Sequence, residues 1–244
     1  MQTHTDPPDA WKSPQRILVV LAHPDDPEFF CGATVARWTA AGHQVGYCLL
    51  TCGDKGSPDR SIQPEELCCI RQAEQRAAAA VLGVAQVRFL NHPDGYLVPD
   101  LDLRHQVTRL IRQERPDVLV TCDPTTLYVG GDRLNHPDHR AAGQVVLDAV
   151  YPAARDHLYF PELLQEEGLE PHAVREVWAA GTQQPNVVLD ITATWETKLR
   201  ALFEHRSQIG DQKEFEARMR AHLAEGSTPE NPRYEEKFRR IVLG

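Results

Sequence analysis

The run Arg16-Ile17-Leu18-Val19-Val20-Leu21-Ala22 is apolar at every position after its first residue. A strand with one wet face alternates apolar and polar side chains, whereas a strand without a polar face has to be covered on both sides. This segment therefore calls for an interior strand of a parallel sheet with helices packed above and below it. The rest of the chain supplies the alternation that such a sheet needs. Further strands are expected at Val45 to Thr51, Val87 to Leu90, Val118 to Thr121, Glu176 to Ala180 and Val187 to Asp190. Between them the sequence predicts a helix from about Glu28 to Ala41, with Pro27 in its first turn and Gly42 at its end. Others are expected over Pro64 to Leu82 (stopped by Gly83), Leu101 to Glu114, Pro137 to Val150 and Thr194 to His205. The fold class is read as α/β: a Rossmann-like, doubly wound, mostly parallel sheet with helices on both faces. In the commonest strand order, 3-2-1-4-5, strands 1 and 4 are neighbours, and ligands bind outside their carboxyl ends.

The residues that follow those two strands carry the chemistry. His23-Pro24-Asp25-Asp26 follows strand 1, and His136-Pro137-Asp138-His139 opens the helix after strand 4. The expected topology brings these distant segments into one crevice. His23 and Asp26 can reach one ion from a single turn, and His139 can supply a third ligand. Two imidazoles and one carboxylate, with a position left for water, make a catalytic zinc set rather than a closed structural one, with Fe2+ or Co2+ as substitutes. Asp25 has to point away from Asp26, where a general base would sit. His136, as an imidazolium kept charged by Asp138, would stabilise an oxyanion or protonate a leaving amine. Taken alone, either segment could be an ordinary helix start, since Pro and Asp favour that position.

The 244 residues, 41% of them hydrophobic, suit one domain with a full core and no need of disulfides. Counting 26 Lys and Arg against 35 Asp and Glu gives a net charge of −9, which argues against a nucleic-acid or anionic-membrane partner. Residues 1–14 are polar and proline-bearing, and are read as a disordered arm of a cytoplasmic protein without a signal peptide. Residues 15–210 form the main domain, and the charged stretch 211–244 is expected to be a helical extension of it. The six cysteines show no Cys-x-x-Cys spacing and are read as reduced and buried. Neither a Walker A motif nor Gly-x-Gly-x-x-Gly occurs, so nucleotide chemistry has no support.

At segments 23–26 and 136–139 the chain resembles the PIG-L/LmbE-like N-acetylglucosaminyl deacetylases, over about residues 16 to 208. The resemblance implies a zinc-dependent N-deacetylase, a hydrolase of linear amide bonds whose partner is a small N-acetylated sugar. It assigns His23, Asp26 and His139 to the metal, Asp25 to the base and His136 to the oxyanion. It also implies Arg71 as a contact to the substrate sugar, Asp94 as a hydroxyl acceptor and His205 as a late histidine near the site. Some members carry a tyrosine two residues before the second motif, where this chain has Leu134. Tyr128 would replace it if its loop folds inward. Loops 53–63 and 122–135 are expected to select the aglycone. Two rival readings share the ligand set: a non-haem iron(II) oxygenase and a non-catalytic sugar- or metal-binding protein. The first leaves Asp25 and His136 without a task, and the second needs no base. The sequence leaves homo-oligomer formation open.

Overall fold

The computed structural model describes residues 9–244. In chain order, β1 (Arg16–Leu21), α1 (Asp26–Ala40), β2 (Gln44–Thr51), α2 (Pro64–Val81), β3 (Gln86–His92), α3 (Leu101–Glu114) and β4 (Val118–Cys122) alternate as expected. A small hairpin, β5 (Tyr128–Val129) with β6 (Arg133–Leu134), then precedes α4 (Pro137–Val150) and the short α5 (Pro161–Gln165). The chain continues through β7 (Glu176–Ala180), β8 (Val187–Asp190), α6 (Trp195–Leu202), α7 (Arg206–Ile209), α8 (Gln212–Arg220) and β9 (Glu235–Val242).

Seven strands form one sheet in the order β3-β2-β1-β4-β7-β9-β8. The first five are parallel and follow the expected 3-2-1-4-5 arrangement, while β9 runs antiparallel to both of its neighbours. β1 lies between β2 and β4, with Val19 level with Tyr47 on one side and Val120 on the other. Their carboxyl ends therefore open onto a common edge at the switch point.

Because β1 has no polar face, each side of it is roofed. Val19 and Leu21 join the layer beneath α1, α2 and α6, where Trp38, Trp178 and Phe238 are fully buried. Leu18 and Val20 join the opposite layer, filled by Val107 and Ile111 of α3 and Val145 and Val146 of α4. No helix among the described residues is long and apolar enough to cross a membrane.

Three expectations are corrected. The charged stretch 211–244 is not helical throughout: after α8 it ends in β9, inserted between β7 and β8. The run alternates with period two, since Glu236 and Phe238 face inward while Lys237 and Arg239 face solvent. Glu236 is itself buried against α1, accepting the Ala33 and Thr34 amides at 3.1 and 2.8 Å and pairing with Lys198 Nζ at 2.6 Å. The expected arm, residues 1–14, falls outside the described residues over 1–8. Beyond that it is held down: Asp9 accepts from Trp38 Nε1 at 3.0 Å, and Trp11 donates to Glu176 at 3.1 Å while its ring packs on Trp38 and Trp178. Finally, the cysteines are not all free and buried. Cys52, just past β2, is joined to Cys68 early in α2 as a disulfide, and Cys69 is exposed. Folding the 53–63 loop back onto α2 brings that pair together, which their sixteen-residue separation does not reveal.

Candidate metal and active site

The end of β1 delivers His23 to the sheet edge, and the chain then turns sharply into α1. The turn is made by Asp25, a non-glycine residue in the left-handed region at φ 91°. That conformation lets Asp25 and Asp26 point in different directions, as their separate roles require. Asp26 opens α1 with one carboxylate oxygen 2.8 Å from the His23 amide and 3.4 Å from His23 Nδ1. Its other oxygen lies 3.0 Å from His139 Nε2, on the first turn of α4. His23, Asp26 and His139 thus converge, each offering a ligand atom within 4.8 Å of the others.

The hydrogen bonds around these residues leave His139 Nε2 and His23 Nδ1 facing Asp26. His139 Nδ1 is 3.1 Å from Asn135 Oδ1, in the loop before α4, so Nδ1–H donates there and Nε2 is the nitrogen that faces Asp26. His23 Nε2 lies 3.2 Å from Asp138 Oδ2 and 3.2 Å from Asp94 Oδ1, which leaves Nδ1 for a cation. Two imidazoles oriented by a carboxylate and an amide, with one carboxylate between them, fit the donor set of a catalytic zinc ion. Burial pulls the His23 pKa down, but the carboxylates of Asp26, Asp138 and Asp94 more than reverse this and raise it to about 12. Burial would raise Asp26, yet His139 and His23 hold it well below the usual carboxylate range. A divalent cation would displace the proton shared in this cluster and replace its charge.

Asp25 faces the other side. Burial pushes its carboxyl up to about 6, with the Arg71 guanidinium opposing the rise. Arg71, buried on α2, donates through Nη2 to the Pro24 carbonyl at 2.7 Å and to Asp25 Oδ2 at 3.3 Å. Its Nη1 reaches the carbonyls of Gly53 and Lys55, each at 3.3 Å, and lies 3.7 Å from Asp94 Oδ2. This packing requires Gly53, at φ +67°, because an added Cβ would sit 2.6 Å from the guanidinium. Asp94 is buried between Arg71 and His23, and its amide donates to Asp54 Oδ1 at 2.8 Å. The structure therefore brings His23, Asp25, Asp26, Arg71, Asp94, Asp138 and His139 into one cluster.

Asp138 does not support His136 as expected. Its side chain turns from His136 toward His23 and accepts the Gly95 and Leu97 amides at 2.7 and 3.2 Å. His136 caps α4 instead, its Nδ1 accepting from the Asp138 amide at 3.2 Å. With Nδ1 an acceptor, the proton of the neutral ring sits on Nε2. Burial, followed by the charge of His23, lowers the His136 pKa, which disfavours the imidazolium form. It remains exposed at the mouth, its ring centroid 4.6 Å from that of His23.

Two other residues are not where they were expected. Tyr128 is 58% exposed, and the β5–β6 hairpin turns Val129, not Tyr128, into a cavity of about 280 Å³ beside His139. Phe30, Asn135, Ala180 and Gly181 complete the wall nearest the ligands. His205 is fully buried behind Asp25 and touches Glu28, with Nε2 to Oε2 at 3.0 Å, so it does not face a substrate. Residues missing from the sequence reading are Asn135, Glu28 and Gln75. Asn135 gave no helix-face signal, because it precedes α4 and meets His139 through the loop that enters the helix. Glu28 and Gln75 gave none, because their contact depends on how α1 packs on α2.

Comparison with known proteins gives the chain a family. Residues 18–150 match the family described as PIG-L, GlcNAc-PI de-N-acetylase. A diacetylchitobiose deacetylase of Thermococcus kodakarensis is 34% identical over 195 residues, covering 80% of this chain and 70% of that protein. A 1D-myo-inositol 2-acetamido-2-deoxy-α-D-glucopyranoside deacetylase of Thermobifida fusca is 30% identical over 250 residues, covering 80% and 84% respectively. The solved structure of the N,N'-diacetylchitobiose deacetylase from Pyrococcus horikoshii, in complex with an inhibitor, superposes with a TM-score of 0.86 at 29% identity, covering 98% of this chain and 88% of that one. With more than half of its length matching that family and its fold shared with a solved deacetylase, the chain belongs to the PIG-L family.

Proposed function

We propose that this protein is a zinc-dependent N-deacetylase that removes the acetyl group from a small molecule containing N-acetylglucosamine. The observation that carries the reading is the placement of Asp25. It is a carboxylate outside the His23–Asp26–His139 ligand set, held at the same opening by Arg71. The relatives named above act on acetamido sugars of this class by their names. A bound zinc ion would supply a water acidified toward neutrality and a Lewis acid for the amide carbonyl. Asp25 takes the proton of the attacking water and returns it to the leaving amine, so that the carboxylate is regenerated each cycle. Arg71 keeps that carboxylate aimed at the opening. His136 donates from Nε2 to the oxygen on which charge develops. Asp138 fixes the tautomer of His23, and Asp94 with Arg71 presents charge to the sugar hydroxyls. The cavity beside His139 takes the part of the substrate beyond the scissile amide. An oxygenase would use the same ligands but would leave Asp25 and Arg71 idle.

The test is release of free amine from a panel of N-acetylglucosamine conjugates, with bound zinc measured in the same samples. Asp25→Asn should retain zinc and lose activity by about 10²- to 10⁴-fold. Equal release by the variant and the wild type would overturn the assignment of Asp25. A zinc-loaded wild type that releases nothing from any conjugate would overturn the deacetylase reading.

A further inference from the structure

His205 and Glu28 are fully buried ionisable side chains with no part in the chemistry above. They form one end of a line of hydrogen bonds that terminates on Asp25. In its left-handed conformation the Asp25 peptide donates its N–H to Gln75 Oε1 at 2.8 Å. Gln75 Nε2 donates in turn to both oxygens of Glu28, at 3.0 and 2.9 Å. Glu28 Oε2 also meets His205 Nε2 at 3.0 Å. His205 Nδ1 has no partner among the described residues, so Nε2 is the ring nitrogen that serves this contact.

The direction of this line is forced. The Asp25 backbone N–H can only donate, so Gln75 turns its oxygen to it and its amide N–H groups to the Glu28 oxygens, which accept them. The Gln75 oxygen thereby satisfies a backbone donor that the left-handed turn leaves without a helical partner. If the amide were reversed, two acceptors would face each other at Glu28 and two donors at Asp25. The anchor at the far end is equally fixed. The Ser207 amide and hydroxyl donate to the two oxygens of Glu74 at 2.8 and 2.7 Å, which ties the turn bearing His205 to α2. Arg71 and Gln75 lie one helical turn apart on α2. One holds the Asp25 carboxylate and the other holds its backbone.

We infer that His205, Glu28 and Gln75 are positioning residues for Asp25: they orient the Gln75 amide so that it locks the left-handed peptide and aims the carboxylate. The inference rests on the reading of Asp25 as the base. It separates these residues from metal binding, because among the described residues none of their side chains hydrogen-bonds to His23, Asp26 or His139. Their loss should therefore appear in kcat, with KM and zinc content left alone.

The experiment measures kcat, KM, bound zinc and hydrogen exchange of the 22–31 segment for Gln75→Leu, Gln75→Asn, His205→Leu and His205→Gln. A misplacement approaching 1 Å costs on the order of 10²-fold in rate. Gln75→Leu should lose about 10- to 100-fold in kcat, with faster exchange at Asp25, wild-type zinc content and KM within about two-fold. His205→Leu should lose about ten-fold. His205→Gln, which keeps a donor for Glu28, should restore kcat to within about three-fold of wild type. If Gln75→Leu does not fold, Gln75→Asn and the His205 pair decide the matter. Unchanged kcat in Gln75→Asn and His205→Leu would overturn the inference, as would losses shared equally among kcat, KM and zinc. Asp25→Asn run alongside keeps the two readings apart. Collapse there with the network variants fully active removes only this inference, whereas full activity in Asp25→Asn removes the base itself.

Discussion

Gly143 is where the fold and the metal ligands are most tightly geared together. It lies on α4, one turn beyond His139, with its Cα against the end of β4. A Cβ built there would sit 2.3 Å from the Cys122 carbonyl oxygen and 2.9 Å from Pro124, where ordinary contact begins at 3.4 Å. Gly143→Ala therefore requires α4 to retreat from β4 by about 1 Å. In an open helix the same change would stabilise by about 1 kcal/mol. Overpacking against backbone costs about 1–3 kcal/mol, so the net result is a loss of about 1 kcal/mol. For a chain of this size that lowers Tm by roughly 2–4 °C. The larger effect falls on the metal. His139 travels with α4, whereas His23 and Asp26 stay with β1 and α1, and ligand distances tolerate only about 0.2 Å. Zinc affinity should weaken by about 10- to 100-fold. The assay is a zinc titration against a competing chelator, with melting curves in the presence and absence of the metal. Gly32→Ala in α1 is the control, since its Cβ would meet nothing closer than 3.5 Å and should cost neither stability nor zinc. A Gly143→Ala protein that melts at or above wild type and binds zinc equally well would refute the argument that this contact sets the ligand spacing.

The carboxyl of Asp25 is raised by burial to about 6 and must be ionised to act as base, so kcat/KM should fall as pH drops through that value. A bound cation draws this limb lower, and a rate that stays flat down to about pH 4 would count against Asp25. Arg71→Lys keeps the charge but cannot serve the Pro24, Gly53 and Lys55 carbonyls together with Asp25, so steady-state assays should show a loss of about 10- to 100-fold in kcat/KM. Lys198→Met strands the buried Glu236 carboxylate and should cost about 3–5 kcal/mol in urea unfolding. Much of that loss should return in Lys198→Met/Glu236→Gln, which removes the stranded charge.

The parallel half of the sheet was legible in the sequence because its inner strands β1 and β4 are apolar runs buried on two faces, whereas the edge strand β3, which carries Arg88, was legible from its place between two helices. The convergence of His23, Asp26 and His139 was legible for a related reason: once strands 1 and 4 are adjacent, the segments that follow them open onto one edge. Residues whose partners come from packing angles were not legible. Asp138 was assigned to its neighbour His136, but the tilt of α4 and the amides of Gly95 and Leu97 draw its carboxylate to His23. His205 was assigned to the substrate side, yet the α6–α7 turn tucks it beneath Asp25. β9 escaped because its inward residues include Glu236, a charge that reads as solvated until Lys198 and two α1 amides are found against it.

β9 is the ninth strand in chain order but the sixth in the sheet. Until residues 235–242 have been made, β7 presents an open edge and β8 has no neighbour to pair with. Over the same interval the Ala33 and Thr34 amides of α1 lack Glu236, although α1 begins with the ligand Asp26. The proposed metal site starts at the end of β1 and is braced by β9, far later in the chain. A nascent chain that has completed segments 23–26 and 136–139 therefore still lacks a finished site, and it exposes a strand edge on which two such chains could pair.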